Sequence, residues 1–227
     1  AISLLFLFLT VGLLMKDLDR PARFAYVLLR PQWRSWLVRG GYALLIYGAL
    51  LSAWAVSRFL EWQNAEAWSF FGSAVFAVIG ATYTAFLFAQ AKGRDFWQSP
   101  ILLLHMLAHA FVAGAAILML QGLFLKTSEE WNLIFLISMV FNLMILGAEV
   151  IMPHPTEDAK RTVWLITSGL FRRQFWFGAL LLGNLLPLAL VWLGTPTSLA
   201  AASILALIGI YTTESIWVHA PQRIPLS

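Results

Sequence analysis

Hydrophobic positions in this chain run together instead of alternating with polar ones. Seven apolar stretches stand out: Ala1 to about Met15, about Gly41 to Leu60, Trp68 to Ala91, Ile101 to Leu125, Trp131 to Met152, Phe175 to Leu193, and Ser198 to about Val218. About 20 consecutive apolar residues cross a bilayer core of roughly 30 Å as a helix. The pattern therefore predicts an all-α fold, a polytopic membrane helical bundle with seven spans visible. The first stretch is too short to cross alone and begins without methionine. It has neither the basic lead nor the small-residue cleavage site of a signal peptide, so it reads as the tail of a truncated span.

The polar connections between these stretches set the direction of threading. Lysine and arginine number 15, and 13 of them fall in alternate connections: Lys16 to Arg39, Lys92 and Arg94, Pro153 to Arg173, and Arg223 after the last span. Only Arg58 and Lys126 lie on the other side. Cytoplasmic loops carry such an excess, so the basic loops and the C-terminus are expected to face the cytoplasm. Trp62, Trp68, Trp131 and Trp192 then mark the outer interface. Trp33, Trp36, Trp97, Trp176 and Trp217 mark the inner one, as aromatic belts.

Composition narrows the chemistry. Residues are 60% hydrophobic and 11% charged, against about 25% charged in soluble domains. The net charge of +4 is accounted for by the basic loops and does not call for nucleic acid. The absence of cysteine excludes an iron–sulfur cluster, a thiolate zinc site and covalent c-type haem within this chain. An electron-transfer role would need a bound organic cofactor, a histidine-held haem or a partner's clusters. Haem is disfavoured because His105 and His109 share one helix while His154 and His219 lie at the membrane edge. There is no phosphate-cradling glycine loop, metal-ligand spacing or nucleophile elbow, and no repeated filter of the kind a channel needs.

The third and seventh spans end alike. Ile79-Gly80, Tyr83-Thr84 and Gln90 to Arg94 correspond to Ile208-Gly209, Tyr211-Thr212 and Ala220 to Arg223. The long basic loops also match: each opens with acids and bases and continues as an amphipathic segment. This suggests two parallel four-helix repeats, residues 1–98 and 99–227 of a single membrane domain. The first repeat would lack its first helix, which predicts an eighth span ahead of Ala1.

Ionisable groups inside spans are costly and point to function. His105 and His109 lie four apart, on one helical face. Glu149 and Glu214 share a depth near the inner ends of the fifth and seventh spans, with Tyr83 and Tyr211 slightly deeper. Asn142 and Asn184 fall near mid-membrane. Together they suggest a polar cavity or a proton route in the cytoplasmic half, since carboxylates and imidazoles exchange protons near neutrality. Plainer readings stand beside this. The histidines can pack between helices, the acids can meet headgroups, and the asparagines can bond helix to helix. Small residues in the fourth span (Ala108, Ala110, Ala113 to Ala116) and Gly178 and Gly183 in the sixth suggest close packing. Pro187 should kink the sixth span and free a carbonyl.

Three segments go beyond pattern. They are Asp17-Leu18-Asp19-Arg20-Pro21 with Arg30 to Trp36; Tyr83 to Phe86 with Gly93-Arg94-Asp95-Phe96-Trp97-Gln98-Ser99-Pro100; and Ser168-Gly169 with Phe175 to Gly178 and Gly183 to Pro187. In this order they resemble the NrfD-like membrane subunit of the polysulfide reductase family (PsrC), over essentially the whole chain. The resemblance implies an eight-helix anchor in the bacterial inner membrane, among its lipids, binding menaquinone or ubiquinone. It also implies a ferredoxin-like iron–sulfur subunit and a molybdopterin catalytic subunit as partners; a dimer of complexes is compatible with it. In that frame Tyr83, His105 and His109 are candidates for quinone binding. Glu149 and Glu214 are candidates for a proton route, with Asp17 and Arg20 at its mouth. The expected function is exchange of electrons and protons between membrane quinone and an iron–sulfur partner, with transmembrane proton conduction as an extension. The alternatives are a structural anchor for a catalytic subunit and, with less in its favour, a transporter.

Overall fold

The computed structural model describes residues 2–16, 29–123 and 130–225. Among them every regular element is helical. Six helices are long and apolar enough to cross a membrane, one fewer than the seven stretches predicted. The difference is the first stretch: α1 (Ile2–Lys16) has 15 residues, short of the ~20 that cross a bilayer core. Asp17 and Arg20 lie outside the described residues.

Contacts divide the chain after Gln90 into two units. The first holds α1, α2 (Trp36–Phe59) and α3 (Gln63–Ala89). Helix α2 starts earlier than the apolar run because polar groups secure its first turn. Gln90 accepts from the Trp36 backbone at 3.2 Å, and Arg39 donates to the Trp33 carbonyl at 2.7 Å. Arg39 also lies over the Trp36 ring, 4.7 Å from its centroid, and Trp36 stacks on Phe86 at 4.3 Å. At the far end the α2–α3 turn is a helix C-cap. Trp62 donates to the Ser57 carbonyl and Glu61 to that of Arg58, with Glu61 in the left-handed region at φ 57°. That is the geometry of a Schellman cap, built here without glycine.

The second unit begins with a 3₁₀ turn, Asp95–Gln98, followed by α4 (Ile101–Gln121), α5 (Glu130–Ile151) and the short α6 (Glu157–Thr167). Helix α7 spans Gln174–Val191 and α8 spans Pro196–Gln222. The buried stripe of α4 is Leu102, His105, Ala108, His109, Val112, Ala115, Ala116 and Met119, three and four apart as an inward helical face requires. On α5 the stripe is Phe135, Ser138, Met139, Asn142, Ile145, Leu146 and Glu149. Away from the histidines the seam is apolar: Val112, Ala116 and Met119 meet Phe135, Met139, Ala202 and Ala206.

Helix α6 is the amphipathic segment expected after the second basic loop. Thr156 accepts from the Ala159 backbone at its start, and Lys160 pairs with Glu157 at 2.7 Å, which holds the Glu157 carboxyl below its ordinary range. Helix α7 is wound as a π-helix over Gln174–Leu185 and as an α-helix from Leu186. Pro187, which has no N–H to give, sits just past the change of winding, so the disturbance expected there takes the form of a change of pitch. The wide winding brings α7 onto α8 backbone to backbone. A Cβ on Gly183 would lie 2.4 Å from the Gly209 Cα, and one on Gly209 would lie 2.2 Å from the Gly183 Cα. Gly178 faces Thr212 in the same seam. In α4, by contrast, a methyl group on Gly114 would meet nothing within 4 Å, and Ala110 is exposed; only Ala108, Ala115 and Ala116 are deeply buried.

Candidate functional site

The four ionisable residues expected inside the spans of the second unit converge on one place. Helix α4 begins, and α5 and α8 end, at the same end of the unit. That geometry puts His105 and His109 level with Glu149 and Glu214. His105 Nδ1 is 2.6 Å from Glu149 Oε2, with exposures of 1% and 4%. One turn along α4, His109 Nδ1 is 2.6 Å from Glu214 Oε1. The same Glu214 oxygen is 3.6 Å from His105 Nε2, and the two imidazoles are 4.2 Å apart. The order is thus Glu149, His105, Glu214, His109: acid and imidazole alternate across α5, α4 and α8.

Electrostatics explains the alternation. A lone charge in this surrounding would be strongly disfavoured, and buried charges persist when paired and hydrogen-bonded. Two carboxylates and two imidazoles can hold a variable number of protons while each charge keeps an opposite or hydrogen-bonded neighbour. One position is unfinished: His105 Nε2 is buried without a hydrogen-bond partner among the described residues. The 3.6 Å gap to Glu214 is longer than a good hydrogen bond and short enough for a modest side-chain rotation to close.

His105, His109 and Glu214 offer donor atoms within 4.8 Å of one another, close enough to share a cation. Yet the 2.6 Å contact of His109 with Glu214 is a hydrogen bond that an ion would have to break. The donor set fits proton sharing better than metal ligation.

The surroundings are ordered by further polar contacts. His154 Nε2 lies 3.0 Å from the Glu149 carbonyl, at the end of α5. Seven residues before Glu149, and so on the same face, Asn142 donates to Asn184 Oδ1 at 2.9 Å, and Asn184 donates to the Ala179 carbonyl at 2.8 Å. The asparagines thus make the helix-to-helix bond that was their plainer reading, and the amide of Asn184 bonds back to a carbonyl within the π-wound stretch.

Two tryptophans depart from expectation. Trp97 and Trp217 belong to the interior, at 8% and 2% exposure, and not to an aromatic belt. The Trp217 ring lies 5.3 Å from His105, 5.7 Å from Phe96 and 6.4 Å from Phe175. The reason is local: Trp217 shares the inward face of α8 with Thr213, Ile216 and Ala220. Trp62, Trp68 and Trp192 are exposed at 61%, 79% and 83%, as residues meeting an interface would be. Tyr211, at 77%, also faces outward.

Tyr83 belongs to the first unit. It is 5% exposed, packed with Leu7 and Leu44, and its ring lies flat against Gly40, where an added Cβ would come within 2.1 Å of it. The structure therefore gathers His105, His109, Glu149 and Glu214 into one network of the second unit, and within the first unit packs Tyr83 in a helix seam.

A polytopic helical membrane protein with a largely buried acid–imidazole network is the class these features define. The chain belongs to the polysulphide reductase, NrfD family, whose sequence model matches residues 1–222. Members of this family are membrane subunits of oxidoreductase complexes. No curated protein and no solved structure matches the chain.

Proposed function

We propose that this chain is the quinone-reactive membrane subunit of its complex. It would exchange electrons and protons between menaquinone or ubiquinone and a ferredoxin-like iron–sulfur subunit, which in turn serves a molybdopterin catalytic subunit. The observation that carries the reading is the Glu149–His105–Glu214–His109 network, whose two 2.6 Å contacts are sealed from solvent on the His105 side. A passive tether has no need to set two carboxylates and two imidazoles within its spans, three of them buried and Glu214 half-buried, because such groups are expensive in a membrane interior.

A bound quinone supplies the two-electron, two-proton couple, and this chain's residues position and move the protons. The unpartnered His105 Nε2 is a hydrogen-bonding group of the kind a quinone carbonyl or a relay water requires. Glu149 takes up a proton from the side of the basic loops and passes it to His105 Nδ1. Closing the 3.6 Å gap passes a proton from His105 Nε2 to Glu214, and His109 holds the next one. Tyr83 remains a candidate for quinone contact within the first unit. The concentration of 13 of the 15 lysines and arginines on one side supports a bacterial inner-membrane location with the C-terminus in the cytoplasm. The acid–imidazole end of the second unit would then be the cytoplasmic end.

Glu149→Gln tests the reading in the complex with its partner subunits. The amide keeps the size and a hydrogen bond to His105 but cannot carry the proton. Quinol turnover should fall by about 100-fold, the lower range for loss of a proton-transfer group, with assembly intact. Wild-type turnover in an assembled Glu149→Gln complex would remove the network from the reaction.

A further inference from the structure

The geometry points to Trp97 as a positioning residue for the Glu214–His109 pair, acting through the Trp217 carbonyl that Pro221 leaves without a helical donor. This rests on the reading of Glu214 as a proton-carrying group.

In an α-helix each N–H bonds to the carbonyl four residues back. On α8 the partner of the Trp217 carbonyl would be the N–H of residue 221, and proline has none. Both residues are buried, Trp217 at 2% and Pro221 among the most enclosed side chains, so water is a poor substitute. The donor comes instead from 120 residues away: Trp97 Nε1 reaches the Trp217 carbonyl at 2.9 Å. The next turn is held from the same loop. Arg94 donates to the carbonyls of Pro221, at 3.0 Å, and Ile224, adding to the Ile224 N–H that already reaches the Pro221 carbonyl at 3.3 Å. Phe96 lies edge-on to the Trp217 ring at 5.7 Å. The 3₁₀ turn thus supplies, from outside, the one hydrogen bond that Pro221 denies the Trp217 carbonyl, and Arg94 beside it ties down the end of α8.

The consequence falls on Glu214, which lies one turn before Trp217. Its Oε1 must reach His109 at 2.6 Å and stand 3.6 Å from His105, while the Trp217 ring lies beside His105 at 5.3 Å. One short stretch of α8 therefore presents both a carboxylate and an aromatic face to the imidazoles, and Trp97 fixes the backbone of that stretch. Without the indole N–H, the Trp217 carbonyl would seek another donor. The final turns of α8 would then shift, and Glu214 would move with them.

The test uses the complex with its partner subunits and three variants: Trp97→Phe, Pro221→Ala, and both together. Phenylalanine keeps an aromatic ring and deletes the donor, while the Pro221→Ala change restores the backbone N–H that proline lacks. The readout is the Glu214 carboxyl band in an H/D-exchange difference infrared spectrum, identified by its loss in Glu214→Gln, with quinol turnover alongside. W97F should move the band toward a weaker hydrogen bond and lower turnover about 5-fold, with the quinone KM unchanged. P221A should resemble wild type, and the double variant should recover both readouts to within about 2-fold. If W97F fails to assemble, recovery of assembly in the double variant reports the same carbonyl. An unmoved band in W97F, or a defect that P221A does not relieve, overturns the inference. The band reads Glu214 whether or not quinone reacts here, so failure of the functional reading would appear separately, as wild-type turnover in E149Q.

Discussion

Adding one methyl group where α7 crosses α8 should damage the buried network from a distance. In Gly183→Ala the new Cβ would sit 2.4 Å from the Gly209 Cα, whereas carbon atoms are comfortable at about 3.5–4.0 Å. The contact is with backbone, so no side chain can turn aside, and the helices must separate by roughly 1.2 Å. Overpacking of this kind costs about 1–3 kcal/mol. Glu214 lies five residues along α8 from the crossing, about 7.5 Å. If α8 withdraws as a rod, Glu214 shifts by a similar distance relative to α4, enough to spoil the 2.6 Å geometry of its contact with His109. Thermal unfolding of the purified complex and quinol turnover should both decline, and Gly209→Ala, with its Cβ 2.2 Å from the Gly183 Cα, should behave likewise. Gly114→Ala and Gly147→Ala are the controls, because nothing lies within 4 Å of a methyl at either position. Gly183→Ala as stable and active as Gly114→Ala would refute the argument that backbone contact holds these helices in register.

Glu61→Gly should stabilise the α2–α3 turn by about 0.5–1 kcal/mol, because a side chain at φ 57° carries a left-handed penalty that glycine escapes; an unfolding midpoint no higher than wild type would contradict this. Asn142→Ala should remove the 2.9 Å bond to Asn184 and destabilise by about 0.6–2 kcal/mol. The double variant with Asn184→Ala should be less than additive, and a coupling energy of zero would deny the bond any role in holding α5 to α7.

Much of the fold is written in local pattern. Runs of apolar residues locate the long spans, because the bilayer core sets their length. Glu157, Lys160 and Arg161 ahead of a polar–apolar periodicity announce α6. The pairing of His105 with His109 is equally local, since four residues complete one turn and return to the same face. The depth of Glu149 and Glu214 follows from their distance to the basic loops. What no local pattern carries is adjacency. That Glu214 stands between the two histidines, and Glu149 beyond one of them, depends on α5 and α8 both lying against α4 and on how each is rotated.

The tryptophans show why that missing information matters. Trp97 and Trp217 stand near the ends of apolar runs, just where an aromatic belt is expected, and composition alone sends them to the interface. Trp217 is buried because it stands on the inward face of α8, and Trp97 meets a backbone requirement there. Pro221 removes the N–H that the Trp217 carbonyl needs, an unbonded carbonyl is disfavoured in a dry interior, and Trp97 supplies the donor at 2.9 Å. The signal was present in the sequence as a proline four residues past a tryptophan, near the end of a span. It becomes legible when each buried carbonyl is asked for its donor. The same question asked of side chains leads to two neighbouring nitrogens buried without a partner among the described residues, Trp217 Nε1 and His105 Nε2, of which the histidine's can take up or release a proton near neutrality. A packing histidine would be satisfied on both sides by the helices around it. This one is fixed by Glu149 on its first nitrogen and left open on its second, within a short rotation of Glu214, and that is the arrangement expected of a group that passes a proton on.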